Sequence, residues 1–289
     1  MAEPAWVDRE LYPFTGHYLD VEGGRMHYVD EGSGPVILMV HGTPTWSFLY
    51  RHLISALSKS NRVIAPDNLG FGLSDKPAAW GYTPADHARN LGRLIDHLNL
   101  DDFVLAVHDF GGPIGLSQAI DRPDRVRGLV LFNTWMWSLA GTKAGTMSRV
   151  MATPFGRFLY TRLNASPRLL IPAAFGDRRK LTRSVHGQYI NAFRTPGERM
   201  GAWTLARELG ASGPWYDRLW EQRQAITGKP ALLLWGMKDP AFGPEALERW
   251  RGEMEPARVA EVPEAGHFVQ EEAPARAVAE VRAFLKGLG

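Results

Sequence analysis

FVLAVHDFGGP, residues 103–113, is the stretch on which the fold turns. An apolar run, Phe103 to Val107, leads straight into His108-Asp109-Phe110-Gly111-Gly112, and a helix is expected to follow. A reactive side chain on such a tight strand-to-helix turn is a nucleophile elbow, and Gly111 and Gly112 let the helix approach the turn closely. The positive end of the helix dipole favours an anion at Asp109. An Asp in this place is also an ordinary helix cap, so the reading depends on the rest of the chain.

Three more runs resemble Phe103–Val107 in length and character: VILMV (36–40), RVIAP (62–66) and GLVLF (128–132). Each has the length of a strand buried in a parallel sheet. Helical spacing separates them, most clearly at Ala88, Leu91, Leu94, Ile95 and Leu98. Alternating strands and helices predict a parallel sheet with right-handed crossovers. Upstream, residues 17–30 read as a hairpin around Gly23-Gly24. After Asn133 the alternation stops. Residues 136–226 contain no clear strand run, carry Pro at 154, 167, 172, 196 and 214, and read as a helical insertion. ALLLW (231–235) and RVAEV (258–262) then complete the sheet, and an amphipathic helix closes the chain near Ala275–Leu288.

The expected architecture is therefore α/β, with a mostly parallel central sheet flanked by helices. Its core spans 1–135 and 227–289, with a helical cap, 136–226, inserted after the sixth strand. A cap there covers the C-terminal strand edge, where open α/β sheets bind ligands.

Composition narrows the chemistry. The 289 residues suffice for one large α/β domain with an insertion. A net charge of +2 gives no field suited to nucleic acid or an acidic membrane. With no cysteine, disulfides, thiolate metal sites and Cys nucleophiles are excluded. No apolar stretch approaches the roughly 18–20 residues of a spanning helix. The first residues, MAEPAWVDRELYPF, lack the basic and apolar regions of a signal peptide. The expectation is a cytoplasmic protein, monomer or homodimer. No metal-ligand spacing and no phosphate-binding loop occurs, so no cofactor is expected. Absence of G-x-S-x-G argues against a serine hydrolase.

Two residues support Asp109. WGMKD ends a strand with Asp239, and PEAGHF places His267 after the next strand. Nucleophile, acid and base then follow in the chain order of the α/β-hydrolase fold, all at C-terminal strand ends. His41-Gly42-Thr43-Pro44 follows the first core parallel strand. The backbone N–H groups of Thr43 and Phe110 are candidates for an oxyanion hole.

These motifs resemble the haloalkane dehalogenase family, in particular the subfamily whose catalytic acid follows the later strand. The matching segments are LYPF, HYVDEG, HGTPTWSFLYR, APDNLGFGLSDKP, HDFGGP, VRGLVLFNTWMW, LLLWGMKDPAF and AGHFVQEEAP, from residue 11 to about 274. The resemblance implies an Asp109–His267–Asp239 triad, an alkyl-enzyme ester, and a small apolar substrate with water. It also exposes two departures. The subfamily usually has Asn after the His-Gly, and the family has Trp after the nucleophile; both donate N–H bonds to the leaving halide. Here those positions are Thr43, which keeps one O–H donor, and Phe110, which has none.

Thr43, Phe110, Trp46, Trp135, Trp137 and Phe193 are expected to form the halide and substrate pocket, with core packing as the other use of such rings. Tyr160, Tyr189 and Tyr216 are candidate acids for an epoxide oxygen, so the alternatives are an epoxide hydrolase and a non-catalytic ligand-binding protein. The cluster Arg178, Arg179, Lys180 and Arg183 reads as a solvated cap face.

Overall fold

The computed structural model describes residues 4–255 and 257–288. Its eight strands are β1 (Gly16–Val21), β2 (Gly24–Glu31), β3 (Val36–Val40), β4 (Arg62–Pro66), β5 (Phe103–Asp109), β6 (Val126–Thr134), β7 (Ala231–Gly236) and β8 (Ala257–Val262). They form one sheet in the order β1-β2-β4-β3-β5-β6-β7-β8. The β1–β2 and β2–β4 pairs are antiparallel, and all others are parallel.

The burial of each strand follows its place. β5 is buried at all seven positions, as expected of a strand covered on both faces. β8 lies at the edge, and its second half alternates, with Ala260 and Val262 buried and Glu261 between them exposed. The expected hairpin is present, with Val21 opposite Gly24 and Gly23 in the positive-φ region.

Helices α1 (Arg51–Leu57), α2 (Pro84–His97) and α3 (Gly111–Asp121) connect the parallel strands. Thr83 starts α2 with a capping box: its hydroxyl accepts from Asp86 N, and Asp86 accepts from Thr83 N. Such a cap contributes about 0.5–2 kcal/mol. Ala88, Leu91, Leu94 and Ile95 form its buried stripe, as the spacing predicts.

Between β6 and β7 come α4 (Lys143–Met151), α5 (Pro154–Thr161), α6 (Ile171–Ala174), α7 (Arg183–Asn191), α8 (Met200–Ala211), α9 (Gly213–Glu221) and α10 (Gln224–Thr227). Among the described residues this insertion contains no strand. Pro154, Pro172 and Pro214 sit in the first turns of α5, α6 and α9, where a missing N–H costs no hydrogen bond. After β7 come α11 (Pro244–Glu253), α12 (Val269–Glu272) and α13 (Pro274–Lys286).

A buried ionic cluster ties the insertion to the core. Arg51 of α1 pairs bidentately with Glu271 of α12, with Nη2 2.7 Å from Oε2. Tyr189 of α7 donates its hydroxyl to the same carboxylate. One carboxylate thus joins two core helices and one helix of the insertion, four residues beyond His267.

Candidate active site

The last residue of β5, Asp109, has φ +52°, a left-handed conformation that costs a non-glycine residue free energy. Thr134 Oγ1 donates to the Asp109 carbonyl at 2.6 Å and holds the turn. The neighbours must be small. A Cβ on Gly112 would collide with Thr134 Oγ1, and one on Gly42 would collide with the Asp109 carboxylate. The elbow is therefore built by close backbone approach, and it presents the carboxylate at the N-terminus of α3.

Two chain segments converge on that carboxylate, and a third backs one of them. Thr43 N–H donates to Asp109 Oδ1 at 2.8 Å. His267 Nε2 lies 3.5 Å from Asp109 Oδ2, and its Nδ1 is 2.7 Å from Asp239 Oδ2. The second distance is a firm hydrogen bond; the first is within the looser range of unliganded catalytic sites. Asp239, next to Lys238 whose N–H donates to Ala265 O, and His267, two residues beyond Ala265, thus come together from the ends of β7 and β8.

The electrostatics follow from the two carboxylates. Burial disfavours the imidazolium of His267. The Asp239 charge, the hydrogen bonds to Asp109 and Asp239, and the Asp109 charge outweigh it and raise its pKa to about 10. His108 is the opposite case: burial, then the charge of His267, lowers its pKa to about 3. A neutral His108 donates from Nε2 to the His267 carbonyl at 2.9 Å and packs its ring on the His267 ring. Neutral His41 is fixed similarly, with Nδ1 on Gly42 O at 2.7 Å and Nε2 accepting from Asn68 N at 2.9 Å. Burial also lowers its pKa, so it shapes the Thr43 loop without adding charge.

Asn133 was not among the expected site residues, yet it holds the acid. Its Nδ2 donates to Asp239 Oδ2 at 2.9 Å and to Gly236 O at 3.0 Å, and its Oδ1 accepts from Gly236 N at 2.8 Å. It lies at φ +28° at the end of β6, where the strand pattern breaks. That break was the one signal in the sequence.

Asp109 and His267 open into a cavity of about 240 Å³. Core residues Thr43, Phe110 and Phe242 form one side, and Ala144, Tyr160, Leu170, Ile171 and Leu209 of the insertion form the other. The wall is mostly apolar. Thr43 Oγ1 is buried without a hydrogen-bond partner, and Tyr160 and Ser166 also line the cavity. Among the described residues, no group of three or more His, Cys, Asp or Glu is placed to hold a metal ion.

Four expected pocket residues are placed elsewhere. Trp46 is enclosed by Trp6, Tyr12 and Phe48. Trp137 packs against Trp220 and Trp250, with Arg249 over its ring. Phe193 packs edge-on against Phe71. Trp135 stands behind the wall, edge-on to Phe110 and stacked on Phe242 with ring centres 4.4 Å apart. None of the four lines the cavity, because each ring is enclosed by other rings before it can reach the site. Of the tyrosines, Tyr160 lines the cavity, whereas Tyr189 donates to Glu271 and Tyr216 to Glu208 O.

Comparison with known proteins gives the family. The alpha/beta hydrolase fold family model matches residues 35–274. Haloalkane dehalogenase 2 of Mycobacterium tuberculosis is 43% identical over 276 residues, which cover 95% of this chain and 96% of that protein. A cis-3-alkyl-4-alkyloxetan-2-one decarboxylase of Shewanella oneidensis is 32% identical over 298 residues, covering 95% and 89%. Among solved structures, haloalkane dehalogenase DbeA from Bradyrhizobium elkani superposes with a TM-score of 0.86 at 26% identity, covering 95% of this chain and 98% of that one.

Proposed function

This chain belongs to the alpha/beta hydrolase fold family, in the branch of the haloalkane dehalogenases, and we propose that it hydrolyses the carbon–halogen bond of small haloalkanes. We take residues 136–226 as the cap and the remainder as the catalytic core. The observation that carries the reading is the Asp109 carboxylate, held by Thr43 N–H and faced by His267 Nε2, opening on an apolar cavity.

An alkyl halide has no carbonyl to attack, so carbon must be displaced directly, and a carboxylate is ionised at neutral pH without a base. Asp109 attacks the carbon, the carbon–halogen bond breaks with its electron pair, and an alkyl ester forms. His267 Nε2 then takes a proton from water, whose oxygen adds to the ester carbonyl carbon. The N–H groups of Thr43 and Phe110 hold the oxyanion, each such donor contributing roughly 3–4 kcal/mol. Collapse breaks the ester bond, the alcohol leaves with the proton of His267, and Asp109, left as the carboxylic acid, releases its proton to solvent and is ionised again. Asp239, held by Asn133, orients the imidazole and balances its charge.

The departing halide is the weak point of this site. Where the resemblance places amide and indole donors, this site has the Thr43 hydroxyl and the Phe110 ring, which has no donor; the other side-chain hydroxyls on the cavity wall are those of Tyr160 and Ser166. A hydrogen bond to a charged group contributes about 1.5–3 kcal/mol, so losing one slows cleavage roughly 10- to 150-fold. Bromides and iodides, which depend least on such donors, are the expected substrates. The absence of a second cap tyrosine at the cavity weakens the epoxide reading. A ligand-binding role alone does not call for an imidazole held between two carboxylates. The 32% relative adds one alternative electrophile, the strained ring of an oxetan-2-one.

Halide release from a bromoalkane, beside turnover of an epoxide and a dialkyl-oxetan-2-one, tests the proposal. Bromide should be released, and Thr43→Asn with Phe110→Trp should raise that rate. The new indole must fit against Trp135, so the effect is read only on a variant of native circular dichroism. Turnover of the lactone or epoxide with no bromide release by either protein would reject dehalogenation.

A further inference from the structure

The large apolar side chains that reach solvent are not scattered. Of the eight most exposed among the described residues, seven lie between Met147 and Leu170; the other is Tyr18. Met147 and Val150 share a face of α4, and Phe155 and Phe158 share a face of α5, each pair three residues apart. Leu163 follows α5, and Leu169 and Leu170 end the π-helical turn at 166–170. Phe155 and Leu169 are each 61% exposed. Single exposed apolar side chains need no explanation, but a concentration of this kind marks an interaction surface.

The charge of the same segment is one-sided. Between Asp124 and Asp177 the sequence has no acidic residue. Lys143, Arg149, Arg157, Arg162 and Arg168 are exposed there, interleaved with the apolar residues. Among the described residues none of the five forms an ion pair, although Arg157 lies over the Trp203 ring. Arg199, from the turn before α8, lies close enough to Arg168 for the two charges to repel. Glu198 of that turn accepts from the backbone N–H groups of Arg194 and Thr195.

We propose that this face of the cap, residues 143–170, docks peripherally on anionic lipid bilayers. Protruding apolar side chains flanked by Lys and Arg are what such a surface selects: the apolar groups enter the acyl boundary while the cations meet lipid phosphates. A second copy of the chain is a poor occupant, because a two-fold contact would set the five cations against themselves. The site opens on the same side. Ala144, Tyr160 and Leu170 line the cavity, and Leu170 is also 48% exposed, so the docked face borders the cavity mouth. An apolar substrate dissolved in the bilayer would then reach the cavity without crossing water.

Co-sedimentation with vesicles tests the idea separately from the reaction. The full chain should bind vesicles of mixed phosphatidylcholine and phosphatidylglycerol far better than pure phosphatidylcholine, and high salt should weaken the binding. Arg149→Gln, Arg162→Gln and Arg168→Gln together should lower the affinity about 100-fold at low salt, at roughly fivefold per cation. Phe155→Ser, Phe158→Ser and Leu169→Ser should lower it by about tenfold or more. Those three side chains do not line the cavity, so turnover of a water-soluble bromoalkane should stay at the wild-type rate. The proposal is overturned if wild type stays in the supernatant, binds both vesicles equally, or binds no better than the variants. A dimer in solution that the Ser variants dissociate, with no vesicle binding, would overturn it in favour of a second copy.

Discussion

His267 donates to Asp239 through Nδ1 and faces Asp109 through Nε2, so the two carboxylates hold its proton affinity high in the resting protein. In the proposed mechanism the alkyl ester removes one of them. Once Asp109 is esterified it carries no charge and is a poorer acceptor, and the imidazolium loses that support. The pKa of His267 must therefore fall when the ester forms, which is the stage that needs a neutral base. Asp109→Asn reproduces the charge loss without changing shape. Nitrogen-resolved NMR titration should find the His267 pKa lower in Asp109→Asn than in wild type. The sign follows directly: removing a nearby negative charge disfavours the protonated form. It follows too that ester hydrolysis slows as pH falls through the lowered value, because the imidazole is then protonated. An unchanged or higher His267 pKa in Asp109→Asn would contradict the coupling.

At the scale of elements, the Arg51–Glu271–Tyr189 cluster joins α1, α12 and α7. Its ionic pair is buried, and removing one partner strands the other charge. Glu271→Ala should therefore cost about 3–5 kcal/mol, read from the urea denaturation midpoint. Replacing Arg51 and Glu271 together by Met and Leu should cost less than Glu271→Ala alone. Equal losses would mean that packing, and not the stranded charge, sets the cost. The legibility of the elements has a related cause. VILMV, FVLAV and ALLLW stand out in the sequence because strands covered on both faces have no polar positions to interrupt them. The missing strand run and the prolines mark 136–226 as an insertion in the sequence, but neither they nor the strand runs of the core tell where side chains point. Hence Trp46, Trp135, Trp137 and Phe193, conspicuous as aromatics, belong to ring clusters, while Ala144, Leu170 and Ile171, inconspicuous in sequence, line the cavity.

At the scale of the whole molecule, the site exists only where distant parts of the chain meet. Asp109 and His267 could be recognised because motif and strand end coincide. Asn133, marked only by the break in the strand pattern, could not be tied to Asp239, since their contact spans 106 residues and depends on the β6–β7 pairing. The account rests on Asp109 becoming covalently alkylated, and that can be weighed. In His267→Gln the ester should form and persist, because no base activates water. Intact-mass spectrometry of this variant after incubation with a bromoalkane should show one added alkyl group, absent when Asp109→Asn is introduced as well. A His267→Gln protein that gains no alkyl mass while wild type releases bromide, or an adduct that survives Asp109→Asn, would contradict the assignment of Asp109 as the nucleophile.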